Sequence, residues 1–559
     1  MTVIDHTGHL RREVGTFALM LTGLGSIIGS GWLFGAWRAS QLAGTGAVWA
    51  WVIGALVATA VALTYAEMGA MFPESGGMVR YAHYSHGSLL GFIAAWTNWI
   101  AVVSVIPVEA EASVQYMASW HWRWAQDLYV QVAGHGELTL VGLAIAAVLV
   151  VVYFLINFWG VKLFARSNTT ITLFKLVVPA ATGLTLMASG FDTRNFGPDV
   201  PGNTGADLAS ILTAVATAGI VFSFNGFQSP VNLAGEARTP GRSIPVAVLG
   251  SIFLAAGIYI TLQVAYLGTV PHHLLLTPAG WHGIDFRSPF AQLALLLNLN
   301  WLALLLYADA FVSPSGTGIT YTATTARMLF GMERNGTLPK FLGRIHPGSG
   351  VPRPAMWFNL VVEFLFLFFF RGWGTLAAVI SVATVISYIT GPISVLILRT
   401  TAAGVPRPLR LPYLKIIAAV AFVFAAELLY WARWPLTGQV ILLIAVALPV
   451  YAWYQIRGGF ADFGRHFRGA LWMIVYLPAI AAVSWAGSAR FGGHGYLTWG
   501  WDLLVVALIA LAFFAWAVRS GWETPAVRHA CSIALHPTHA PTAAGSLGNM
   551  ACRNKSAPS

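Results

Sequence analysis

Charged residues are scarce in this chain of 559 residues, since Asp, Glu, Lys and Arg together make up only 9% of it. Soluble globular domains carry about 25% charged residues, so the scarcity excludes an ordinary soluble domain. Hydrophobic residues account for 57%, and they are gathered into separate runs long enough to cross a hydrocarbon core of about 30 Å as helices. The composition therefore predicts a membrane protein with many transmembrane helices.

Cysteine is nearly absent, and its two copies, Cys531 and Cys552, stand near the end of the chain. Two distant cysteines form neither a disulfide framework nor a metal-ligand motif, so we expect no metal, no cofactor and no redox chemistry. The 15 histidines lie mostly in loops and in the C-terminal tail, which disfavours an enzyme active site inside the membrane. Residues 1–13 are polar and no small-residue cleavage site follows the first apolar run, so no cleaved signal peptide is expected.

Fourteen apolar runs predict fourteen transmembrane helices, which we number spans 1 to 14. The spans lie near residues 16–39, 46–71, 88–119, 139–160, 168–189, 208–230, 244–268, 288–331, 354–370, 374–398, 413–432, 437–456, 470–487 and 501–518. Spans 3 and 8 are longer than a bilayer requires, so we expect them to tilt or to extend past its surface.

The basic residues indicate the orientation in the membrane. Of the 31 Lys and Arg residues, 23 fall on the side that carries both chain ends and six fall on the opposite side. By the positive-inside rule both termini are expected in the cytoplasm. Because the net charge of +11 is spread over many short loops, we expect anionic membrane lipid and no nucleic acid as its partner.

Span 1 contains three glycines and two serines at mid-membrane depth, in the sequence GSIIGSG at residues 25–31. Unwinding such a segment exposes C=O groups at the end of one half-helix and N–H groups at the start of the next, which suit an ammonium and a carboxylate. The alternative is close helix packing through pairs of small residues four apart. If the helix is broken, the candidate substrate-binding residues are Ile27, Ile28, Gly29, Ser30 and Gly31.

Span 6 contains a similar interruption, a glycine with a polar neighbour in an apolar helix, in the sequence FSFNGF at residues 222–227. Two breaks five spans apart are typical of two five-helix repeats of opposite orientation, with a binding site for a transported molecule where the breaks meet. The second set of candidate substrate-binding residues is Phe222, Phe224, Asn225 and Gly226. Phe224 is the preferred gate because it directly precedes the break, although an aromatic residue here can equally be ordinary core.

Three further motifs carry a family resemblance: YAEMGAMFPESGG at residues 65–77, EARTPGRSIP at 236–245, and ARMLF with NGTLP between 326 and 339. Together with the glycine-rich first span they resemble the amino acid-polyamine-organocation (APC) superfamily of permeases, in order from about residue 13 to 456. Thr239 departs from the asparagine usual in the second motif. The resemblance implies an all-α polytopic membrane protein with the LeuT-type 5+5 inverted repeat, in which helices 1 and 6 are broken.

This fold implies a division of the chain into five parts. We expect a cytoplasmic segment at 1–15, a transporter core of ten helices at 16–398, helices 11 and 12 at 399–456, additional helices 13 and 14 at 457–518, and a disordered cytoplasmic tail at 519–559. Spans 13 and 14 lie beyond the twelve-helix pattern common in the family. The expected location is the plasma membrane, which in a bacterium is the inner membrane.

Lys175 lies inside span 5, where burial in a medium of low dielectric disfavours its charged form, so it can take up or release a proton as its surroundings change. In proton-coupled members of the family the matching lysine resembles a substitute for the sodium ion of sodium-coupled relatives. The alternative is a permanent ammonium that holds span 5 against loose carbonyls of span 1. The two roles are compatible with each other.

Intramembrane carboxyl groups supply further candidates for proton coupling. Glu109 and Glu111 lie on different faces of span 3, so at most one of them readily faces a central cavity. Asp309 in span 8 precedes Pro314 and two glycines, which should distort the helix. We therefore select Glu109 and Asp309, with Lys175, as candidate proton-coupling residues.

The segments around Asp309 and Glu109, with the fourteen spans, most resemble the aspartate-proton symporter branch of the family. The resemblance implies a secondary active transporter that imports an amino acid, with an acidic substrate favoured. Arg38, at the outer end of span 1, is the candidate for recognition of an acidic side chain, although it can equally be an interfacial arginine. A neutral or broad-range amino acid permease, an amino acid exchanger and a non-transporting nutrient sensor on the same fold remain as alternatives.

Overall fold

The computed structural model describes residues 13–74, 76–132, 135–159, 162–203, 207–346, 351–457 and 462–535, with side chains omitted at 135, 162–169 and 457. Its regular structure is almost entirely helical. The first half of the chain contains α1 (Thr16–Ile27), α2 (Gly31–Ala43), α3 (Ala47–Met71), α4 (Gly77–His86), α5 (Ser88–Val103), α6 (Val105–Met117), α7 (Arg123–Gln126), α8 (Leu140–Trp159), α9 (Lys162–Gly190), α10 (Leu208–Thr217), α11 (Ile220–Ser223), α12 (Ser229–Asn232) and α13 (Pro240–Thr269).

The second half contains α14 (His272–Leu275), α15 (Pro289–Leu296), α16 (Asn300–Arg334), α17 (Arg353–Phe369), α18 (Trp373–Tyr388), α19 (Thr390–Thr401), α20 (Leu414–Trp431), α21 (Leu436–Ala445), α22 (Leu448–Arg457), α23 (Phe463–Ala486), α24 (Trp501–Ser520) and α25 (Pro525–Leu535). Short 3₁₀ turns lie at Gly44–Gly46, Thr193–Phe196, Ala234–Glu236, Gly280–Gly283, Lys340–Gly343 and Ala489–Phe491. A small antiparallel hairpin of β1 (Tyr129–Val132) and β2 (His135–Leu138) pairs Tyr129 with Leu138 between spans 3 and 4.

Each of the fourteen predicted spans coincides with one or more of these helices. Eleven helical stretches in the described residues are long and apolar enough to cross a membrane. One of the eleven, Gly31–Met71, joins the second half of span 1 to span 2. Outside the set are the first half of span 1, the interrupted span 6, and span 9, whose helix α17 has 17 residues. The prediction of an all-α polytopic membrane protein is confirmed.

The packing follows the order that a repeat of five helices requires. Spans 1 to 4 each pack against the span five positions later in the chain, as α2 against α10, α3 against α13, α6 against α16 and α8 against α17. Spans 3 and 10 form the centre, since 94% of the most apolar 18 residues of each are buried, whereas in span 14 the share is 22%. The added spans 13 and 14 therefore stand beside the core.

Three expectations from the sequence need correction. Span 3 is interrupted at Ser104, because Pro107 cannot donate to the carbonyl of Val103 and Ser104 Oγ donates to the carbonyl of Ile100 at 2.7 Å. Span 8 begins as the separate short helix α15, and Asn298, with φ of 60°, turns the chain into α16.

The tail expected to be disordered from residue 519 is helical as far as 535. α24 continues to Ser520, and the polar stretch behind it forms α25 because it binds α4: Trp522 Nε1 donates to the carbonyl of His86 at 3.0 Å, and Thr524 Oγ1 donates to that of Tyr84 at 2.9 Å. The rest of the expected tail, residues 536–559, and residues 1–12 of the expected N-terminal segment lie outside the described residues.

A buried ion pair joins span 2 to span 10. Arg399 Nε and Nη2 donate to the two carboxylate oxygens of Glu67 at 2.8 and 2.7 Å, and the N–H of Leu411 donates to the same carboxylate at 3.0 Å. The Glu67 side chain is only 1% exposed. Two donors in a fork and one backbone amide thus hold a charge that burial alone would make costly.

Replacing Arg399 with methionine should strongly destabilise the protein, because it leaves the Glu67 carboxylate buried without its cation. We expect a loss of about 3–5 kcal/mol in the free energy of unfolding, measured as a fall in the thermal unfolding temperature in detergent. Arg80→Met is the matched control, since Arg80 pairs with Glu74 but is 47% exposed, and such pairs contribute roughly 0–1 kcal/mol. Equal shifts for the two variants would contradict the prediction.

Candidate functional site

The interruptions of spans 1 and 6 lie side by side. In span 1, α1 ends at Ile27 and α2 begins at Gly31; in span 6, the chain is non-helical between Ser223 and Ser229. Gly226 has φ of 128°, and a Cβ there would stand 2.6 Å from the backbone N of Ile27. Only glycine permits both this conformation and this approach. The two breaks therefore touch through backbone.

Hydrogen bonds across the breaks hold them together. Tyr259 OH in span 7 donates to the carbonyls of Ile27 and Ser223, both at 3.2 Å. Ser229 Oγ donates to Ser26 Oγ at 2.8 Å. Tyr321 OH in span 8 donates to the carbonyl of Ser26 at 3.3 Å. Side chains from spans 7 and 8 thus satisfy backbone carbonyls that the interrupted helices leave free.

A small cavity lies between the breaks. The residues lining it come from spans 1, 3, 6 and 8, and they are Ser26, Ile27, Val105, Glu109, Phe222, Asn225, Thr317 and Tyr321. Four of them, Ile27, Glu109, Phe222 and Asn225, belong to the candidate residues predicted from the sequence. The structure therefore brings both breaks and one of the two span 3 glutamates to a single cavity.

Sequence reasoning did not select Thr317 and Tyr321, although a signal existed. Asp309, Ser313, Thr317 and Tyr321 form a polar row at four-residue spacing along span 8. Such a row marks one face of a helix, and polar groups on one face of a membrane helix point to the bundle interior.

The remaining residues predicted in span 1 form the start of α2. Ile28 has an extended backbone, and Ser30 is the N-cap residue of α2. A Cβ on Gly29 would overlap the Glu109 carboxylate, and a Cβ on Gly31 would lie 3.1 Å from Cα of Ser223. Glycine at both positions allows span 3 and span 6 to reach the break. The helix is thus broken at this motif, and the glycines also allow close packing there, so the two interpretations of the motif do not exclude each other.

Phe222 and Phe224 lie on opposite sides of span 6. The Phe222 ring lines the cavity and stands 6.0 Å from the ring of Trp373. The Phe224 ring instead packs against Trp51 and Tyr259, at 6.0 and 5.7 Å between ring centres. Of the two phenylalanines, Phe222 therefore lines the cavity and Phe224 does not, and a gating role for Phe224 stays a prediction.

Asn225 is held in place by its neighbours. Its Oδ1 accepts from Gln228 Nε2 at 2.7 Å and from Tyr388 OH at 3.1 Å, while its Nδ2 makes only a long contact of 3.4 Å to Thr384 Oγ1. The amide oxygen is thus saturated, whereas the two amide N–H groups make only this one long contact and keep donor capacity. Asn225 can donate to a ligand without rearrangement.

The Lys175 ammonium sits against the end of α1. Its Nζ donates to the carbonyl of Gly25 at 2.7 Å and to Thr317 Oγ1 at 2.6 Å, and Thr317 Oγ1 in turn donates to the carbonyl of Ile28 at 3.4 Å. The side chain is 2% exposed. The ammonium therefore lies where carbonyls of span 1 and a hydroxyl of span 8 converge, at the negative end of a helix dipole.

Glu109 and Asp309 lie close enough to Lys175 for charge–charge interaction, and Glu111 does not. Glu109 Oε2 accepts the N–H of Ser30 at 2.8 Å, and Asp309 Oδ1 accepts from Ser313 Oγ at 3.0 Å. Among the described residues, Glu109 Oε1 and Asp309 Oδ2 have no hydrogen-bond donor. The three predicted proton-coupling residues thus form one buried cluster.

Proline in span 8 shapes this cluster. Pro314 has no N–H to offer the carbonyl of Ala310, and Ser113 Oγ donates to that carbonyl instead at 2.7 Å. Ser113 lies one helical turn after Glu109. The bond therefore fixes the face of span 3 that carries Glu109 against span 8.

Arg38 lies apart from the cavity. It is two helical turns beyond Ser30, or roughly 12 Å along α2, and its guanidinium stacks over the ring of Trp37 at 4.9 Å. Its Nη1 donates to Gln41 Oε1 at 3.4 Å. In this arrangement Arg38 does not reach a ligand held between the breaks.

The cavity is closed at both ends. On the α2 side, Trp373 Nε1 donates to Ser30 Oγ at 2.8 Å, and its ring packs against Phe34 at 4.8 Å. On the α1 side, Val14 forms a parallel bridge with Ala237, in which the N–H of Val14 donates to the carbonyl of Glu236 at 3.0 Å. The arrangement is occluded.

Comparison with known proteins identifies the family of this chain. The family profile described as amino acid permease matches residues 14–456. The glutamate/serine transporter AimA of Bacillus subtilis (strain 168) is 56% identical over 527 residues, which cover 94% of this chain and 96% of that protein. The aspartate-proton symporter of the same organism is 32% identical over 525 residues, or 93% of this chain and 98% of the relative.

A more distant relative is named for a different group of amino acids. The branched-chain amino acid permease BcaP of B. subtilis is 24% identical over 456 residues, which cover 80% of this chain. The family profile ends before spans 13 and 14, whereas the alignments with the two more similar relatives extend over more than nine tenths of the chain. These matches, with the paired helix breaks and the occluded cavity, establish that the chain is a multi-pass membrane protein belonging to the amino acid permease family of the APC superfamily.

Proposed function

We propose that this permease is a secondary active transporter that imports amino acids together with protons and independently of sodium. The observation that carries the proposal is the Lys175 ammonium, bound to the carbonyl of Gly25 and to Thr317 Oγ1. A fixed cation between span 1 carbonyls and a span 8 hydroxyl repels a sodium ion from the same oxygen atoms. Loss of the proton from Lys175 removes both the charge and the tether.

The tether gives protonation a conformational consequence. While Lys175 is charged, it joins span 5 to the end of α1 and to span 8, so the closed arrangement is favoured. Deprotonation weakens both bonds and frees α1 to move. A ligand shifts a conformational equilibrium only through different affinity for the two states, and the proton meets this condition here. Glu109 and Asp309 lie beside Lys175 and provide sites to which the proton can pass.

The proposed substrates are glutamate and serine, with aspartate as a further candidate. The two more similar relatives are named as a glutamate/serine transporter and an aspartate-proton symporter, and these names support the proposed substrates. Among the described residues that line the cavity there is no Lys or Arg, whereas Asn225, Tyr321 and Thr317 offer hydrogen bonds. Hydrogen-bond recognition suits both a hydroxyl and a carboxyl side chain.

The substrate backbone is expected to span the two breaks. Its carboxylate suits the N–H groups at the start of α2, and its ammonium suits the carbonyls at the end of α1, because the dipoles of the half-helices have the complementary signs there. We further propose the plasma membrane, the inner membrane in a bacterium, as the location. The loop charges support cytoplasmic termini, anionic lipid contacts on that side, and a transport core at 16–398.

Substituting Gly29 or Gly31 with alanine should weaken substrate binding about tenfold, since an added Cβ meets Glu109 or Ser223 and such crowding costs roughly 1–3 kcal/mol. Binding is measured as ligand-induced thermal stabilisation of the purified protein. Gly257→Ala in span 7 is the matched control, because its Cβ would meet nothing within 4 Å. Parent-like binding in both test variants would assign the glycines to helix packing alone.

Competition for uptake of radiolabelled serine into proteoliposomes should show inhibition by L-glutamate and L-serine, and none by L-arginine. Arg38→Ala should leave the ratio of glutamate to serine affinity unchanged within about twofold, because Arg38 lies roughly two turns from the cavity. A selective loss of glutamate affinity would instead assign side-chain recognition to Arg38.

Lys175→Ala should abolish accumulation of substrate driven by a pH gradient, because no titrating cation remains at the end of α1. The measurement is uptake by proteoliposomes with sodium replaced by choline, under an imposed gradient. Exchange of internal for external substrate should persist, since it needs only the loaded carrier to reorient. Sodium-dependent uptake by the parent, or gradient-driven accumulation in the variant, would contradict the mechanism.

A further inference from the structure

The Glu109 carboxylate occupies the start of α2, the place that an amino acid carboxylate is expected to take. Its Oε2 accepts the N–H of Ser30 at 2.8 Å. The Ser30 side chain does not cap the helix, because its Oγ accepts from Trp373 Nε1 instead. The anion that satisfies this helix start is therefore a side chain of span 3.

The second oxygen of the same carboxylate points to a ligand. Glu109 is completely buried, and its Oε1 has no hydrogen-bond donor among the described residues. The side chain lines the cavity between the breaks. An unsatisfied, buried carboxylate oxygen at the wall of a binding cavity is costly unless the site serves a function.

From this geometry we propose that Glu109 is an internal competitor of the substrate carboxylate: it caps α2 in the empty transporter, and it takes up one proton when substrate binds. The inference rests on the proposed amino acid transport. It assigns to Glu109 a role distinct from that of Lys175, since Glu109 acts at the start of α2 and Lys175 at the end of α1.

Charge balance is the physical reason for the proton. Two carboxylates at one helix start, in a site of low dielectric, repel each other strongly. Protonation converts Glu109 to a neutral acid, so the arriving carboxylate replaces one negative charge with another at the start of α2. The substrate ammonium binds at the end of α1, and the site as a whole gains only the charge of the proton. The groups that face Glu109 with a charge or a phenol are Lys175, Tyr153, Tyr259 and Tyr321, and Asp309 interacts with it through Lys175.

The test is Glu109→Gln, which keeps the size and a carbonyl acceptor for the N–H of Ser30 but removes the charge. Binding of L-serine to the purified protein is followed by calorimetry at pH 7.5 in buffers of different ionisation enthalpy. The parent should take up protons on binding serine, at most about one per serine, and the variant none. The variant should also bind serine about tenfold more tightly, since no anion has to be displaced.

Glu111→Gln is the matched control, because Glu111 lies two residues along the same helix, is equally buried, does not line the cavity, and has no hydrogen-bond donor on either carboxylate oxygen among the described residues. It should retain the proton uptake and affinity of the parent. Weaker serine binding in Glu109→Gln would overturn the inference and assign Glu109 to the substrate ammonium, as would unchanged proton uptake. A parent that binds no amino acid would overturn the proposed function itself, whereas loss of gradient-driven uptake in Lys175→Ala does not depend on Glu109.

Discussion

Every backbone polar group freed by a broken helix inside a membrane must find a partner within the protein, and the organisation of this permease follows from that constraint. Spans 1 and 6 are interrupted at the same depth, which leaves carbonyls at Gly25, Ile27 and Ser223 and an amide at Ser30. Tyr259, Lys175 and Glu109 supply the missing partners. The breaks are therefore stable features, and one of the groups that stabilise them, Glu109, also lines the cavity.

The same constraint explains why charged residues occur at all in a chain so poor in them. Lys175 satisfies carbonyls at the negative end of α1, and Glu109 satisfies an amide at the positive end of α2. The two charges balance one another across the cavity wall. Neither is an isolated buried ion, so each can be held in the protein interior at a cost low enough for a stable fold.

Contacts distant from the cavity tie the two repeats into one body. The Glu67–Arg399 pair joins spans 2 and 10, and the bridge between Val14 and Ala237 ties the start of the chain to the end of span 6. The contacts of α25 with α4 extend this connection to the C-terminal part of the chain. The position of α1 in this arrangement is therefore held by the Val14 bridge as well as by the bonds of Lys175.

The positions of the spans, both interruptions and the burial of Lys175 follow from local features of the amino-acid sequence, because hydrophobic run length and glycine content act locally. Helical spacing also limits the span 3 glutamates to one that faces the cavity. Contacts between spans select Glu109, and they place Phe222 rather than Phe224 at the cavity and Arg38 apart from it. Helical periodicity fixes the angles between side chains of one helix. The rotation of that helix about its axis depends on the neighbouring helices, and after a break the next helix has a rotation of its own. Contacts between segments distant in the chain also place Thr317 and Tyr321 at the cavity and α25 against α4.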